Sequence, residues 1–320
     1  MNMNSDIIRI GQNRNMITVN SLYINNLINF IKKMASIGKI KEKYVEIMVH
    51  PDNIQYYVIA FVHKSYNKYN NYEIFEQLGD LSVNKFVVWH AYKKFPQINF
   101  PSGTAIAARI KITFGSKVKL GLIGRNLNFS EFIITNPQSD VRVPAIEDLI
   151  EDTFEAFMGA TEFIFDKCLM AHTGYSFVYK MLEGIFENPQ YVSDFRLDYS
   201  ILTDPVTILK EMVESPEFYN IFPQSDFPQE NKLVYSVSKP KPKFPENIII
   251  STSTVFLVFI NKQKMLLGNG SASTKKKSKQ IAAKNSLAYL QQTYKLTIKD
   301  KYEELLKSNE EYPSHFVIGM

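Results

Sequence analysis

The chain has 320 residues, 45% of them hydrophobic, enough for two domains with separate cores. Its single cysteine, Cys168, excludes an internal disulfide, no apolar run is long enough to span a bilayer, and the polar N-terminus lacks a secretory core; an intracellular, cytoplasmic protein without a membrane partner is expected. The net charge of +5 is uneven: residues 231–290 carry eleven lysines, no arginine and the one acid Glu246, a charge of +10 that leaves −5 on the rest, so that one part suits a polyanion and the other suits cations.

Residues 1–17 read as loosely attached. The pattern LYINNLINFIKKMASIGKI, from Ser21 to about Ile40, is amphipathic and helical, giving an N-terminal extension over residues 1–44. From Tyr56 to Phe165 helical periodicity dominates, broken at Pro96, Pro101 and Asn136-Pro137, and a further helix is predicted from Gly174 to Phe186. Asn188-Pro189 ends a helical domain of residues 45–187, and residues 188–203 read as a linker. Asp204-Pro205 then opens a short helix with an N-cap and proline at its first position. After Gln229 the runs LVYSVS, IIISTSTVFLVFI and KMLLGN are rich in β-branched residues and predict strands, and Thr274 to Tyr294 returns to helix. The fold class is therefore multidomain: an all-α domain followed by a small α+β module, α-β-β-β-α, over residues 204–295, with a tail at 296–320. The stretch 215–229 has no evident role.

Two acidic clusters stand out. Glu73, Glu76 and Asp80 are spaced by three and four residues and share one helix face; Asp152 and Glu155 lie one turn apart on another helix. Both helices are otherwise apolar, with Phe75, Leu78, Val83, Phe86, Val87 and Trp89 on the first and Phe154, Phe157, Met158 and Phe163 on the second. Carboxylates crowded on packed helices repel one another and are costly to desolvate, and a divalent cation removes that cost. Oxygen donors without histidine or cysteine favour magnesium, with manganese as a substitute. A di-iron bundle requires Glu-x-x-His, which does not occur in the chain. The neighbouring Glu147, Asp148 and Glu151 read as a solvated acidic face.

At these residues the sequence resembles a family. Phe61-Val-His-Lys-Ser-Tyr66, followed by Glu73-Ile-Phe-Glu-Gln-Leu-Gly-Asp80, resembles the signature of ribonuclease III, and Asp152-Thr-Phe-Glu-Ala-Phe-Met-Gly159 resembles its second acidic motif. The resemblance implies that Glu76, Asp80, Asp152 and Glu155 form a catalytic, metal-binding quartet. It makes Glu73 an accessory acid near a dimer interface and Gly79 the small residue between Leu78 and Asp80. His63 reads as structural. The implied reaction is magnesium-dependent hydrolysis of phosphodiester bonds in double-stranded RNA, giving 5′-phosphate, 3′-hydroxyl and short 3′ overhangs. One set of acidic motifs per chain implies a homodimer for a two-site cut. Two positions depart from the pattern: Gln77 replaces the apolar residue that plugs into the partner subunit, and Ser102-Gly103 replaces an acidic Glu-Gly pair.

Residues 204–294 similarly resemble a double-stranded-RNA-binding domain. The resemblance puts Thr207, Lys210 and Glu211 of the first helix against a minor groove and Lys275, Lys276 and Lys279 of the last helix on phosphates. Ala282, Ala283, Leu287 and Leu290 read as core, and Lys277 and Lys284 as solvated. The family's Gly-Pro-x-His loop is absent, with KPKPKFPEN and its Lys239, Lys241 and Lys243 in its place. The rival reading is a non-catalytic relative, either a double-stranded-RNA-binding protein or a ribosomal structural protein. Retention of all four acids counts against it.

Overall fold

The computed structural model describes residues 7–10, 16–95, 98–99, 103–136, 146–228, 232–238, 241–243, 248–299 and 302. The chain divides into two compact units, one ending at Arg196 and the other starting at Leu197.

The first unit opens with β1 (Ile7–Ile10) and β2 (Ile17–Asn20), paired antiparallel with Ile10 opposite Ile17. This corrects the expectation of a loose N-terminus: Ile10, Ile17 and Val19 are buried, an anchoring that the short alternating runs do not announce. Asn20 caps α1 (Ser21–Ile37), its side chain accepting from the Tyr23 N–H at 2.7 Å, and Leu27, Phe30, Ile31 and Met34 form the buried face. There follow α2 (Glu42–Met48), α3 (Pro51–Ala60), α4 (Glu73–Lys94), α5 (Gly103–Phe114), α6 (Lys117–Asn126), α7 (Ile146–Cys168) and α8 (Gly174–Phe186). The prolines expected to break the helices, Pro96, Pro101 and Pro137, lie outside the described residues, as does Ser102.

Helix α7 is the axis of this unit, packed by α2, α3, α4, α6 and α8. Its buried Thr153 and Thr161 return their hydroxyl hydrogen bonds to the carbonyls of Leu149 and Phe157, so polar groups at the centre are satisfied within the helix. Phe30, Phe61, Phe129, Phe132 and Phe157 interlock beside it, with ring centroids 4.8–6.3 Å apart. In a second aromatic group Phe86, Phe186 and Phe195 surround His90, and Phe114 packs on Phe186 and Phe195. Burial there, with the charges of Lys94 and Lys93, pushes the His90 imidazole down to about 4. Phe195 and the buried Val192 belong to the stretch read as linker, so its first half is packed core. Of the apolar residues on α4 and α7, Leu78, Trp89 and Phe163 are 40%, 44% and 37% exposed.

The second unit comprises α9 (Tyr199–Leu202), α10 (Pro205–Val213), α11 (Pro216–Ile221), β3 (Leu233–Val237), β4 (Lys241–Lys243), β5 (Ile248–Val258), β6 (Lys264–Ala272) and α12 (Lys275–Tyr294). Central β5 pairs antiparallel with β6 on one side and with β3, continued by β4, on the other. The expected α-β-β-β-α order is met by α10, β3, β5, β6 and α12. Asp204 caps α10, accepting from the N–H groups of Val206 and Thr207, with Pro205 in the first turn. Helix α12 lies close on the sheet because β6 offers glycines: a Cβ on Gly270 would meet the Ala282 nitrogen at 2.4 Å, and one on Gly268 the Ser286 nitrogen at 2.7 Å. Ala282, Ala283, Leu287 and Leu290 are buried as expected. The unexplained stretch 215–229 builds core: Phe218, Phe222 and Phe227 pack together and reach Tyr294 and Phe259. Beyond Lys299 only Tyr302 of the predicted tail is described, its buried ring edge-on to Tyr199.

Candidate active site

The two acidic clusters meet where α4 crosses α7. The crossing is set by two glycines, one on each helix. A Cβ on Gly79 would come within 1.8 Å of the Glu155 carbonyl oxygen, and one on Gly159 within 2.0 Å of that of Phe75. Neither position admits any side chain while the helices keep this approach, and a contact this close sets Glu76 and Asp80 against Asp152 and Glu155. Gly79 and Gly159 are therefore as much part of the site as the acids they bring together.

Each acid has a distinct setting. Asp152 has both oxygens engaged: Tyr72 donates its hydroxyl to Oδ2 at 2.8 Å, and the Lys117 ammonium lies 3.1 Å from Oδ1. Asn84 donates to Asp80 Oδ1 at 2.6 Å from one turn further along α4. Glu155 is 4% exposed, and burial, followed by the charges of Glu151, Asp80, Glu76 and Asp152, pushes its carboxyl up to about 9. Glu76 is raised to about 7, by burial and by the charge of Asp152. Glu73 stands apart: its carboxylate is half-exposed and takes a hydrogen bond from Lys64 at 2.8 Å. Gln77 is exposed. His63 is buried in a local role, its Nδ1 accepting from the Ser65 N–H at 3.1 Å.

Lys117, at the start of α6, is the feature that sequence spacing does not find. Its ammonium lies 2.9 Å from Glu151, 3.1 Å from Asp152 and 3.8 Å from Asp148. Burial opposes its charge, but the hydrogen bond and charge of Glu151 and the charge of Asp152 outweigh this and hold it above the ordinary lysine range. Glu151 is 9% exposed, which corrects its reading as a solvated acid; burial raises its carboxyl to about 7. Asp148 is half-exposed, and the Glu147 side chain lies outside the described residues. Tyr72 and Lys117 approach from 80 and 35 residues away along the chain, so no local motif could mark them.

The carboxylates fit a divalent cation by their chemistry. Four carboxylates stand about the crossing, and burial and mutual repulsion push Glu155 and Glu76 toward the neutral form, a cost that a bound cation would relieve. The donor atoms are not drawn tightly together: no three of the quartet's acids bring carboxylate oxygens mutually within 4.8 Å. Lys117 holds part of the positive charge that the cluster demands.

The residues read as RNA contacts lie in the second unit, on α10 and α12, which pack against each other. Lys275, Lys276 and Lys279 are exposed in the first turns of α12, which Thr274 caps by accepting from the Lys277 N–H at 3.2 Å. Lys210 is exposed, Glu211 is half-buried, and Thr207 donates its hydroxyl to Asp204 at 2.6 Å. Lys277 and Lys284 are exposed as expected. Lys239 lies outside the described residues, as do the side chains of Lys241 and Lys243.

A mainly helical unit in which two glycine-crossed helices present paired carboxylates is followed by a lysine-rich α+β unit. The chain is 30% identical over 272 residues to a protein of Invertebrate iridescent virus 6 named as a ribonuclease 3, spanning 81% of this chain and 85% of that protein. It is 36% identical over 182 residues to a protein of Frog virus 3 given the same name, spanning 55% and 46% of the two chains. The solved nuclease domain of ribonuclease III from Campylobacter jejuni aligns at 20% identity and TM-score 0.36, covering 49% of this chain and 97% of that one. No family model matches the chain. The chain belongs to the ribonuclease III family of enzymes. Among the described residues, no helix is long and apolar enough to cross a membrane.

Proposed function

We propose that the chain is an endoribonuclease that cleaves double-stranded RNA by divalent-metal-dependent hydrolysis, leaving 5′-phosphate and 3′-hydroxyl ends. The observation that carries this reading is the meeting of two carboxylate pairs across a glycine-lined helix crossing, at the motifs that resemble the ribonuclease III signature. Glu76, Asp80, Asp152 and Glu155 hold the ion; magnesium, when bound, supplies the charge that acidifies water and stabilises a leaving oxygen. Tyr72 and Lys117 orient Asp152, and Asn84 orients Asp80. Glu73 remains an outer acid tied to Lys64.

The second unit reads as a double-stranded-RNA-binding domain. Its exposed Lys275, Lys276 and Lys279 stand at a helix N-terminus, where the helix dipole also favours phosphate. On α10, Lys210 is free to reach the backbone, and the Thr207 oxygen, with its proton committed to Asp204, is left as an acceptor for a ribose 2′-hydroxyl. A homodimer completes the enzyme, one carboxylate set per strand. On α4, Ile74, Leu78 and Leu81 expose an apolar stripe beside Gln77, 65%, 40% and 68% open, that a second copy would cover.

The test is incubation of the purified chain with long duplex RNA, with and without magnesium, beside Glu155→Gln. Magnesium-dependent cleavage by the parent is expected, with duplex binding but no cleavage by the variant. Full cleavage by the variant would refute the site. Binding without cleavage by the parent would favour the non-catalytic alternative.

A further inference from the structure

A second set of metal-ligating side chains lies in the helical unit, on residues that the acidic motifs do not include. His90 sits in the penultimate turn of α4, Glu183 in the last turn of α8, and Glu187 immediately after that helix. One ring nitrogen of His90 and one carboxylate oxygen from each glutamate all lie within 4.8 Å of one another. We propose that His90, Glu183 and Glu187 form a binding site for a divalent transition-metal ion of the zinc class, pinning the end of α4 to the end of α8.

Three observations carry the assignment. The first is an orphaned donor: His90 is 3% exposed, and its Nε2 is buried without a hydrogen-bond partner. Buried polar atoms in native folds are nearly always satisfied, so such an imidazole calls for a partner. The second is the surrounding field. The chain ends of two helices meet here, and the partial negative charge of their free carbonyls adds to two carboxylates. The charges of Lys93 and Lys94 reach His90, but their ammonium groups lie over the Tyr179 ring at 5.0 Å and the Phe195 ring at 5.3 Å, and neither forms an ion pair with Glu183 or Glu187. The third is the donor set. Mixed imidazole and carboxylate ligands suit zinc, whereas the all-oxygen quartet suits magnesium. Around a tetrahedral ion with bonds of about 2.0–2.1 Å, donors stand roughly 3.4 Å apart. The donors, all within 4.8 Å of one another, therefore close in by no more than about 1.4 Å, which the exposed Glu187 side chain can accommodate, and water completes the shell.

The site differs from the catalytic one in ligands and in the rings around it. His90 stacks on Phe86, with centroids 5.0 Å apart, and contacts Phe186 and Phe195, so metal binding there would rigidify an aromatic core rather than join the chemistry.

The test is a zinc titration of the full chain by calorimetry and thermal melting, in saturating magnesium so that the quartet is already occupied. One zinc per chain and a higher melting temperature are expected. Glu187→Gln, at an exposed position, should bind zinc more than ten-fold more weakly and lose the melting shift, while cleaving duplex RNA in magnesium as the parent does. His90→Ala should behave alike. Cobalt in place of zinc adds a spectroscopic readout, because imidazole–carboxylate coordination gives visible absorption that Glu187→Gln should abolish. No zinc uptake by the parent, or equal uptake by the parent and Glu187→Gln, overturns the site.

Discussion

Asp152 and Glu155 sit one turn apart on α7, yet their surroundings differ. Tyr72 and Lys117 engage both carboxylate oxygens of Asp152, whereas Glu155, deeper in the crossing, is raised to about 9 by burial and by the neighbouring carboxylates. Glu155 thus keeps in the folded chain, up to about pH 9, a proton that the unfolded chain gives up near the ordinary glutamate value of 4.5. A folded-state value above the unfolded one means stability is full below the lower value and is lost as pH rises through the upper one. Glu76, raised to about 7, acts in the same sense over a narrower window. In EDTA the melting temperature should therefore fall between pH 5 and 9, and magnesium should offset the fall most at the alkaline end, where the ligands are already deprotonated. Glu155→Gln should flatten the profile in EDTA and remove most of the magnesium response. A parent protein whose melting temperature in EDTA rises over that range would contradict the assignment.

Among elements, the helices were the most legible. The α8 boundaries, the Asp204–Pro205 start of α10 and the α12 start at Thr274 all follow from caps and periodicity, because those signals are local. The acids that the α4–α7 crossing brings together stand out in the sequence as well, as two clusters with fixed spacing. What escaped depends on partners distant in sequence. The pairing of β1 with β2 rests on Ile10 and Ile17 finding a core, and the stretch 215–229 folds because Phe218, Phe222 and Phe227 meet one another while Phe222 reaches Tyr294 and Phe227 reaches Phe259. The α4–α7 crossing shares this character: Gly159 looks incidental in the sequence until the Phe75 carbonyl is seen against it. Gly159→Ala should therefore destabilise the helical unit by about 1–3 kcal/mol, the range for overpacking, or by more if the helices cannot part. It should also weaken magnesium binding by moving one carboxylate pair away from the other. Melting curves and magnesium calorimetry on the variant check both; an unchanged melting temperature and affinity would mean that the helices do not approach this closely.

At the scale of the whole molecule, charge separates two tasks. Residues 231–290 carry +10, while the acids that define the candidate site lie in the other unit. Affinity for a polyanion and chemistry on it should then fail independently. Lys275, Lys276 and Lys279 are the sharpest probe, since all three are exposed in the first turns of one helix. Lys279 also lies 5.8 Å from the centroid of the Tyr235 ring, which fixes its direction more than a bare surface lysine would have. Contacts to phosphate release counterions, so affinity for duplex RNA should fall steeply with salt. Replacing the three lysines by alanine should lower the logarithmic salt slope by about one per lost contact and weaken binding to unrelated duplexes alike. Because the carboxylate site is untouched, cleavage at saturating RNA in low salt should survive, with the loss concentrated at low RNA concentration or high salt. Binding titrations at several salt concentrations, run beside initial cleavage rates, measure both. A slope unchanged in the triple variant would move the phosphate contacts to Lys239, Lys241 and Lys243 of the Pro/Lys segment. Loss of cleavage at saturating RNA would mean instead that these lysines act in the chemical step and that the two tasks are not separable.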